Sequence, residues 1–149
     1  MPTRYTHTNI IAEDWRSLVK FYEDVFDCVF VPPQRDQAGD WLETATGVKD
    51  AALQGKHLRL PGFGEDGPTL EIYAYAQMEE KPAPAANRKG LGHLAFHVDD
   101  VQAIVDKVVA YGGGTLGQVV IREIEGVGKL TFVYATDPEG NILEIQNWS

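Results

Sequence analysis

"GLGHLAFHVDD" (residues 90–100) reads as a strand that runs into the start of a helix. Strand side chains alternate between the two faces, so Leu94, Phe96 and Val98 share one face and His93, Ala95 and His97 the other. Asp100 stands before Val101, Ile104, Val105 and Val108, an apolar stripe at helical spacing behind an acidic cap. One face of this strand suits a core. The other carries two imidazoles, which suit either solvent or the wall of a cavity.

The same pattern occurs earlier in the chain. "HTNIIAEDWRSLVKFY" (7–22) aligns without a gap on "HLAFHVDDVQAIVDKV" (93–108): His7 meets His93, Asp14 meets Asp100, Leu18 meets Ile104 and Val19 meets Val105. "TLEIYAY" (69–75) aligns on "ILEIQNW" (142–148), so Glu71 meets Glu144 between matching leucines and isoleucines. A fixed order of histidine strand, capped helix and Leu-Glu-Ile strand, used twice, signals one supersecondary unit repeated. The first helix carries its stripe at Trp15, Leu18, Val19, Tyr22, Val25 and Phe26. "YGGGT" (111–115) stops the second helix, and "TDPEGN" (136–141) and "LPGFGEDGPT" (60–69) are turns. Strands are expected at 27–31, 56–61 and 69–76, and again at 117–124, 129–136 and 142–147. The fold class is therefore α+β, with two βαβββ modules at 5–76 and 91–149 joined by a linker at 77–90. Helices cover one sheet face and leave the other to curl into a cup.

Parity places the polar residues. Glu71, Tyr73 and Tyr75 oppose Leu70, Ile72 and Ala74; Ile142, Glu144 and Gln146 oppose Leu143 and Ile145; His57 and Arg59 oppose Leu58 and Leu60. His7, Glu71, His93 and Glu144 can then face one cavity. Two imidazoles and two carboxylates form a nitrogen/oxygen set of the kind that holds Ni, Zn, Co, Mn or Fe. A divalent ion also neutralises two carboxylates that would otherwise repel.

Composition narrows the partners. The formal net charge of -9 over 149 residues argues against nucleic acid or an anionic membrane surface as a partner. No apolar run reaches transmembrane length, and "MPTRYTHTNI" lacks the apolar core of a signal peptide, so a cytoplasmic location is expected. The single cysteine, Cys28, forms no internal disulfide.

These residues resemble the vicinal oxygen chelate superfamily, which holds glyoxalase I, methylmalonyl-CoA epimerase, extradiol dioxygenases and bleomycin- and fosfomycin-resistance proteins. The resemblance spans nearly the whole chain and is most specific at "YTHTNI", "PTLEIYAY", "GLGHLAFHVDD" and "DPEGNILEI". It implies one divalent metal held by His7, Glu71, His93 and Glu144. A glutamate at the position of Glu71 is similar to glyoxalase I rather than to the dioxygenases. The resemblance implies isomerisation of a glutathione hemithioacetal through a metal-bound enediolate, as in lactoylglutathione lyase, with Glu144 favoured as base and Glu71 its alternative. The alternatives are an extradiol-type dioxygenase, an epimerase-like enzyme, and a non-catalytic binding or resistance protein. The family also implies a small-molecule substrate and a homodimer.

The chain departs from the glyoxalase pattern in two places. Ile11 stands near where a glutathione-binding arginine is expected, leaving Arg59 and Arg122 as candidates to grip an anion. Residues 32–56 form an insertion with no counterpart in the second module, in which "AGDWLETATG" is expected as a short helix ending at Gly47, with Trp41 turned inward as a lid. Tyr73, His97 and Tyr134 complete the expected substrate-binding wall.

Overall fold

In the computed structural model, residues 2–149 are described. They form three helices and nine strands in two mixed sheets. The chain divides into two compact units, one running to Lys81 and the other from Pro82 to Ser149.

The first unit contains β1 (His7–Ile11), α1 (Trp15–Phe26), β2 (Val29–Ala38), α2 (Asp40–Thr46), β3 (Ala52–Arg59) and β4 (Thr69–Tyr75). Its sheet has the order β1-β4-β3-β2, with β1 parallel to β4 and the other pairs antiparallel. The second contains β5 (Leu94–His97), α3 (Val101–Ala110), β6 (Gly114–Thr115), β7 (Val120–Ile124), β8 (Gly128–Thr136) and β9 (Ile142–Trp148). Its order is β5-β9-β8-β6, with β7 also paired to β8 and β5 parallel to β9. The two short strands β6 and β7 together take the place that β2 has in the first unit. The expected α+β class of repeated βαβββ order is what the chain adopts.

Each helix begins as its sequence dictates. The Asp14 carboxylate accepts a hydrogen bond from the Ser17 N–H at 3.1 Å, and Asp100 accepts one from the Ala103 N–H at 3.0 Å. These side chains satisfy donors that the first helical turn leaves orphaned. All six residues of the α1 stripe are buried, joined by Phe21. In α3, Val101, Val105 and Val108 are buried, and Ile104 is half-buried. The sheets offer matching apolar faces: Ile10, Leu58, Leu70 and Ile72 in the first unit, Val133, Ala135, Leu143 and Ile145 in the second. Burying a side chain of this size contributes roughly 1.5–3 kcal/mol.

The 32–56 insertion is more regular than its sequence suggests. β2 runs on to Ala38 instead of ending at 31, and β3 begins at Ala52 rather than 56. The β2–β3 register shifts between Val31 and Arg35, where Pro32 and Pro33 have no N–H to give the ladder. α2 forms where expected and ends at Gly47, whose φ of 73° suits glycine. The expected inward turn of Trp41 is corrected. Its side chain is 58% exposed and its indole donates to the Ala38 carbonyl at 3.0 Å. A two-turn helix buries one narrow stripe, and Leu42 takes it, packing with Ala51, Leu53, Tyr73 and Tyr75. Leu53 and Tyr73 project from the same sheet face as Glu71. α2 therefore packs on the face opposite α1.

Two turns behave as their composition demands. α3 stops at Ala110, Gly112 adopts φ 98°, and the Gly113 N–H donates to the Val108 carbonyl at 2.8 Å. In 136–141, buried Asp137 accepts from the Glu139 and Asn141 N–H groups at 2.9 and 3.0 Å, and Gly140 has φ 84°. Among the described residues, no helix is long and apolar enough to cross a membrane.

Candidate functional site

On β1, His7, Asn9 and Ile11 are exposed while Ile10 is buried, so the sheet turns His7 away from α1. Register then sets a row across three strands: Asn9 on β1, Glu71 on β4 and His57 on β3. Glu71 is only 7% exposed, yet its carboxylate is fully engaged. Oε1 lies 3.1 Å from His7 Nε2 and 3.2 Å from the Asn9 amide donor. Oε2 lies 2.7 Å from His57 Nε2 and accepts from the Tyr73 hydroxyl at 3.1 Å. His57 Nε2 is also 2.7 Å from that hydroxyl, closing a three-membered ring of contacts.

Gly55 makes room for this arrangement. A Cβ there would fall 2.0 Å from the Ile72 carbonyl oxygen and 2.5 Å from a Tyr73 ring carbon. The Tyr73 ring thus lies across β3 where any larger residue would stand. Burial pushes the Tyr73 phenol above the usual tyrosine range, and the adjacent Glu71 charge adds to this, so the hydroxyl keeps its proton. Burial lowers the His57 pKa, against the opposing pull of Glu71, with Arg35 and His7 lowering it further.

The second unit repeats the first pairing. His93, just ahead of β5, places Nε2 3.1 Å from Glu144 Oε1 on β9. Oε2 accepts from the Gln146 amide at 3.2 Å, and Gln146 in turn accepts from the Trp148 indole at 2.6 Å. The row through Glu144 carries Ala95 on β5 and Tyr134 on β8. The Tyr134 ring packs against the His93 imidazole, with centroids 4.7 Å apart. His97 lies one row along, opposite Gln146, and is exposed.

The four expected ligands are thus gathered as two pairs, His7 with Glu71 and His93 with Glu144. Among the described residues, no group of three or more His, Cys, Asp and Glu side chains stands in position to hold a metal ion. The trio of His7, His57 and Glu71 does not change this, because its two imidazoles face different oxygens of one carboxylate. The pairs nevertheless suit a cation. Two donor atoms each about 2.1 Å from a shared ion, at right angles, lie roughly 3.0 Å apart. Both nitrogen–oxygen pairs show 3.1 Å. The same spacing is a hydrogen bond when the imidazole carries Nε2–H.

Arg59 shares the Glu71 face, opposite Thr69 in the register. Its Nε is buried and has no hydrogen-bond partner among the described residues. An orphaned buried donor costs about 1–3 kcal/mol. Trp41 stands apart from this row, on the outer side of α2. His57 is the side chain of this cluster that sequence reasoning left as mere parity. Its signal was its place in "KHLRLP", on the same face as Arg59 and directly across from Glu71 once the register is known.

The family model described as Glyoxalase/Bleomycin resistance protein/Dioxygenase superfamily matches residues 4–145. None of the curated proteins matches the chain. Among solved structures, a glyoxalase family protein from Bacillus cereus is 16% identical with a TM-score of 0.83, over 99% of this chain and 95% of that one. A fosfomycin resistance protein, FosX, from Listeria monocytogenes, complexed with Mn(II) and sulfate, is 14% identical with a TM-score of 0.58, over 100% and 95%. A glyoxalase I mutant from Zea mays is 21% identical with a TM-score of 0.65, over 96% of this chain and 44% of that one. At these identities the likeness is one of fold.

Proposed function

The chain belongs to the glyoxalase/bleomycin resistance protein/dioxygenase superfamily, and on that premise we propose that it is a divalent-metal-dependent enzyme of the glyoxalase type. His7, Glu71, His93 and Glu144 are the residues that would hold the ion. A divalent ion there would supply Lewis-acid chemistry, polarising a substrate carbonyl and making the adjacent carbon-bound proton more acidic. What supports the reading above all is the repeated pair: a histidine Nε2 and a glutamate oxygen 3.1 Å apart in each of two units.

The protein residues divide the remaining work. Glu144 takes the proton from the carbon beside the carbonyl and returns it to the neighbouring carbon. Beyond His93, its carboxylate has one further donor, the Gln146 amide at 3.2 Å. Glu71 stays in place under three donors. Arg59 supplies a cation on the same face, where its guanidinium would meet a carboxylate or other anionic group of the substrate. Tyr134 keeps the His93 ring oriented by packing on it. His97 and Tyr73 line the two faces. The substrate class is a small molecule with two neighbouring oxygens and an anionic group, such as a glutathione hemithioacetal. A homodimer and a cytoplasmic location complete the reading.

The test is elemental analysis of protein purified without a metal-binding tag, followed by a hemithioacetal assay with Ni, Zn, Co and Mn. Bound divalent metal and turnover are expected. Full activity retained in both Glu71→Gln and Glu144→Gln removes the mechanism. Oxygen uptake with catechols in place of isomerisation assigns the chain to the dioxygenase chemistry of its superfamily.

A further inference from the structure

We infer that His57 is a positioning residue for Glu71: with Tyr73 it occupies Oε2 of the carboxylate and so reserves Oε1 for the ion. The inference rests on the reading of Glu71 as a metal ligand. It concerns a residue outside the four-ligand set, and the geometry that carries it lies wholly within the first unit.

The carboxylate is polarised in its contacts. One oxygen faces His7 and Asn9, and the other faces His57 and Tyr73. A free carboxylate rotates about its terminal bond and binds an ion through one oxygen or both. Here the Tyr73 hydroxyl donates to Oε2, the carboxylate oxygen that lies 3.1 Å away. His57 Nε2 is nearer still, at 2.7 Å, and supports the hydroxyl from the other side at the same distance. Rotation of the carboxylate would break both contacts while the group is buried, where lost hydrogen bonds are most costly. The ring of Tyr73 is fixed in turn by the space Gly55 leaves and by the apolar packing of Leu42, Ala51 and Leu53. Outer partners of metal-binding side chains act in this way, orienting the ligand before the ion arrives.

The second unit supplies an internal contrast. The place of His57 in the row is taken by Tyr134, which packs on His93 and makes no hydrogen bond to Glu144 among those formed there. A structural filler would serve either row. An imidazole whose Nε2 lies against the carboxylate serves only the first.

The test is metal affinity of the whole chain, measured by calorimetric titration of Zn(II) or Ni(II) into metal-stripped protein. His57→Ala is expected to weaken binding by about 10–100-fold. His57→Gln, which keeps a donor at that place, is expected to recover much of the loss, and Tyr73→Phe to fall between wild type and His57→Ala. Thermal melting of the metal-free variants separates a structural role, which lowers the midpoint without moving affinity and is not rescued by Gln. Should His57→Ala fail to fold, His57→Gln and Tyr73→Phe carry the comparison, and wild-type affinity in Tyr73→Phe then counts against the inference. A dissociation constant for His57→Ala within twofold of wild type overturns it while leaving the ligand set intact. Wild-type protein that binds neither ion overturns the ligand set and the inference together.

Discussion

Glu71 and Glu144 stand at the same point of two repeated units, each beside a histidine at 3.1 Å, yet their surroundings differ. Glu71 is enclosed: His57, Tyr73 and Asn9 join His7 around it. Glu144 has one further donor, Gln146, and its side chain is 15% exposed against 9% for Glu71. Repetition has kept the nitrogen–oxygen pair and varied the row through it. A carboxylate held by four partners is suited to stay put. One held by two is suited to move a proton. The comparison thus gives a physical ground for assigning different jobs to residues that look interchangeable in the sequence.

The sharpest way to break that distinction is chemical. Glu144→Gln should lower kcat by about 10²–10⁴-fold, the usual worth of a positioned general base. Glu71→Gln should act first on metal affinity, measured by titration of stripped protein. Equal kcat losses at full metal occupancy in both variants would erase the difference between the units.

The next effect concerns the cores beneath the two glutamates. Leu70 and Leu143 precede them and are fully buried. Leu70→Ala and Leu143→Ala should each cost about 2–5 kcal/mol in denaturant unfolding. Similar losses are expected, because the helix-covered faces match more closely than the site faces do. A loss confined to one variant would show that the two cores are unequal.

Gly55 sharpens the contrast further, since its counterpart across β8 is Phe132, one row on from Tyr134. Gly55→Ala should destabilise the first unit by roughly 1–3 kcal/mol, as overpacking does. It should also disturb the Tyr73 hydroxyl, read as a change in tyrosine fluorescence or in its titration. A neutral result would mean that the strand yields where the geometry says it cannot.

The smallest expected effect is a silence. Cys28 is buried in the first unit, and burial, aided by Asp27 and Glu23, pushes its thiol up to about 12. The thiolate is the reactive form, so native protein at pH 8 should resist alkylation and react only on unfolding. Rapid modification of folded protein, followed by mass spectrometry, would show that the α1 end of this unit opens readily.

Much of this was legible in the sequence, for identifiable reasons. The α1 and α3 stripes and their aspartate caps depend on local spacing, so Trp15 to Phe26 and Val101 to Val108 could be read directly. Strand parity put His7, Glu71, His93 and Glu144 on faces turned from the helices. What parity could not supply was register. His57 and Glu71 are fourteen positions apart, and only the β3–β4 pairing sets them side by side. β2 hid because Pro32 and Pro33 interrupt it and "QRDQ" carries no apolar alternation. α2 was visible from its glycine stop, but which of Trp41 and Leu42 faces inward depends on how the helix is rotated over the sheet, a tertiary choice.

Tyr73 belongs to two neighbourhoods at once. Its ring is part of the oily patch under α2, and its oxygen is part of the polar knot at Glu71. Trimming Leu42 to alanine would loosen that ring without touching a single charged atom, and the slack would be felt at the carboxylate. The inserted helix, far from ornament, is the wedge against which the polar end of this unit is braced.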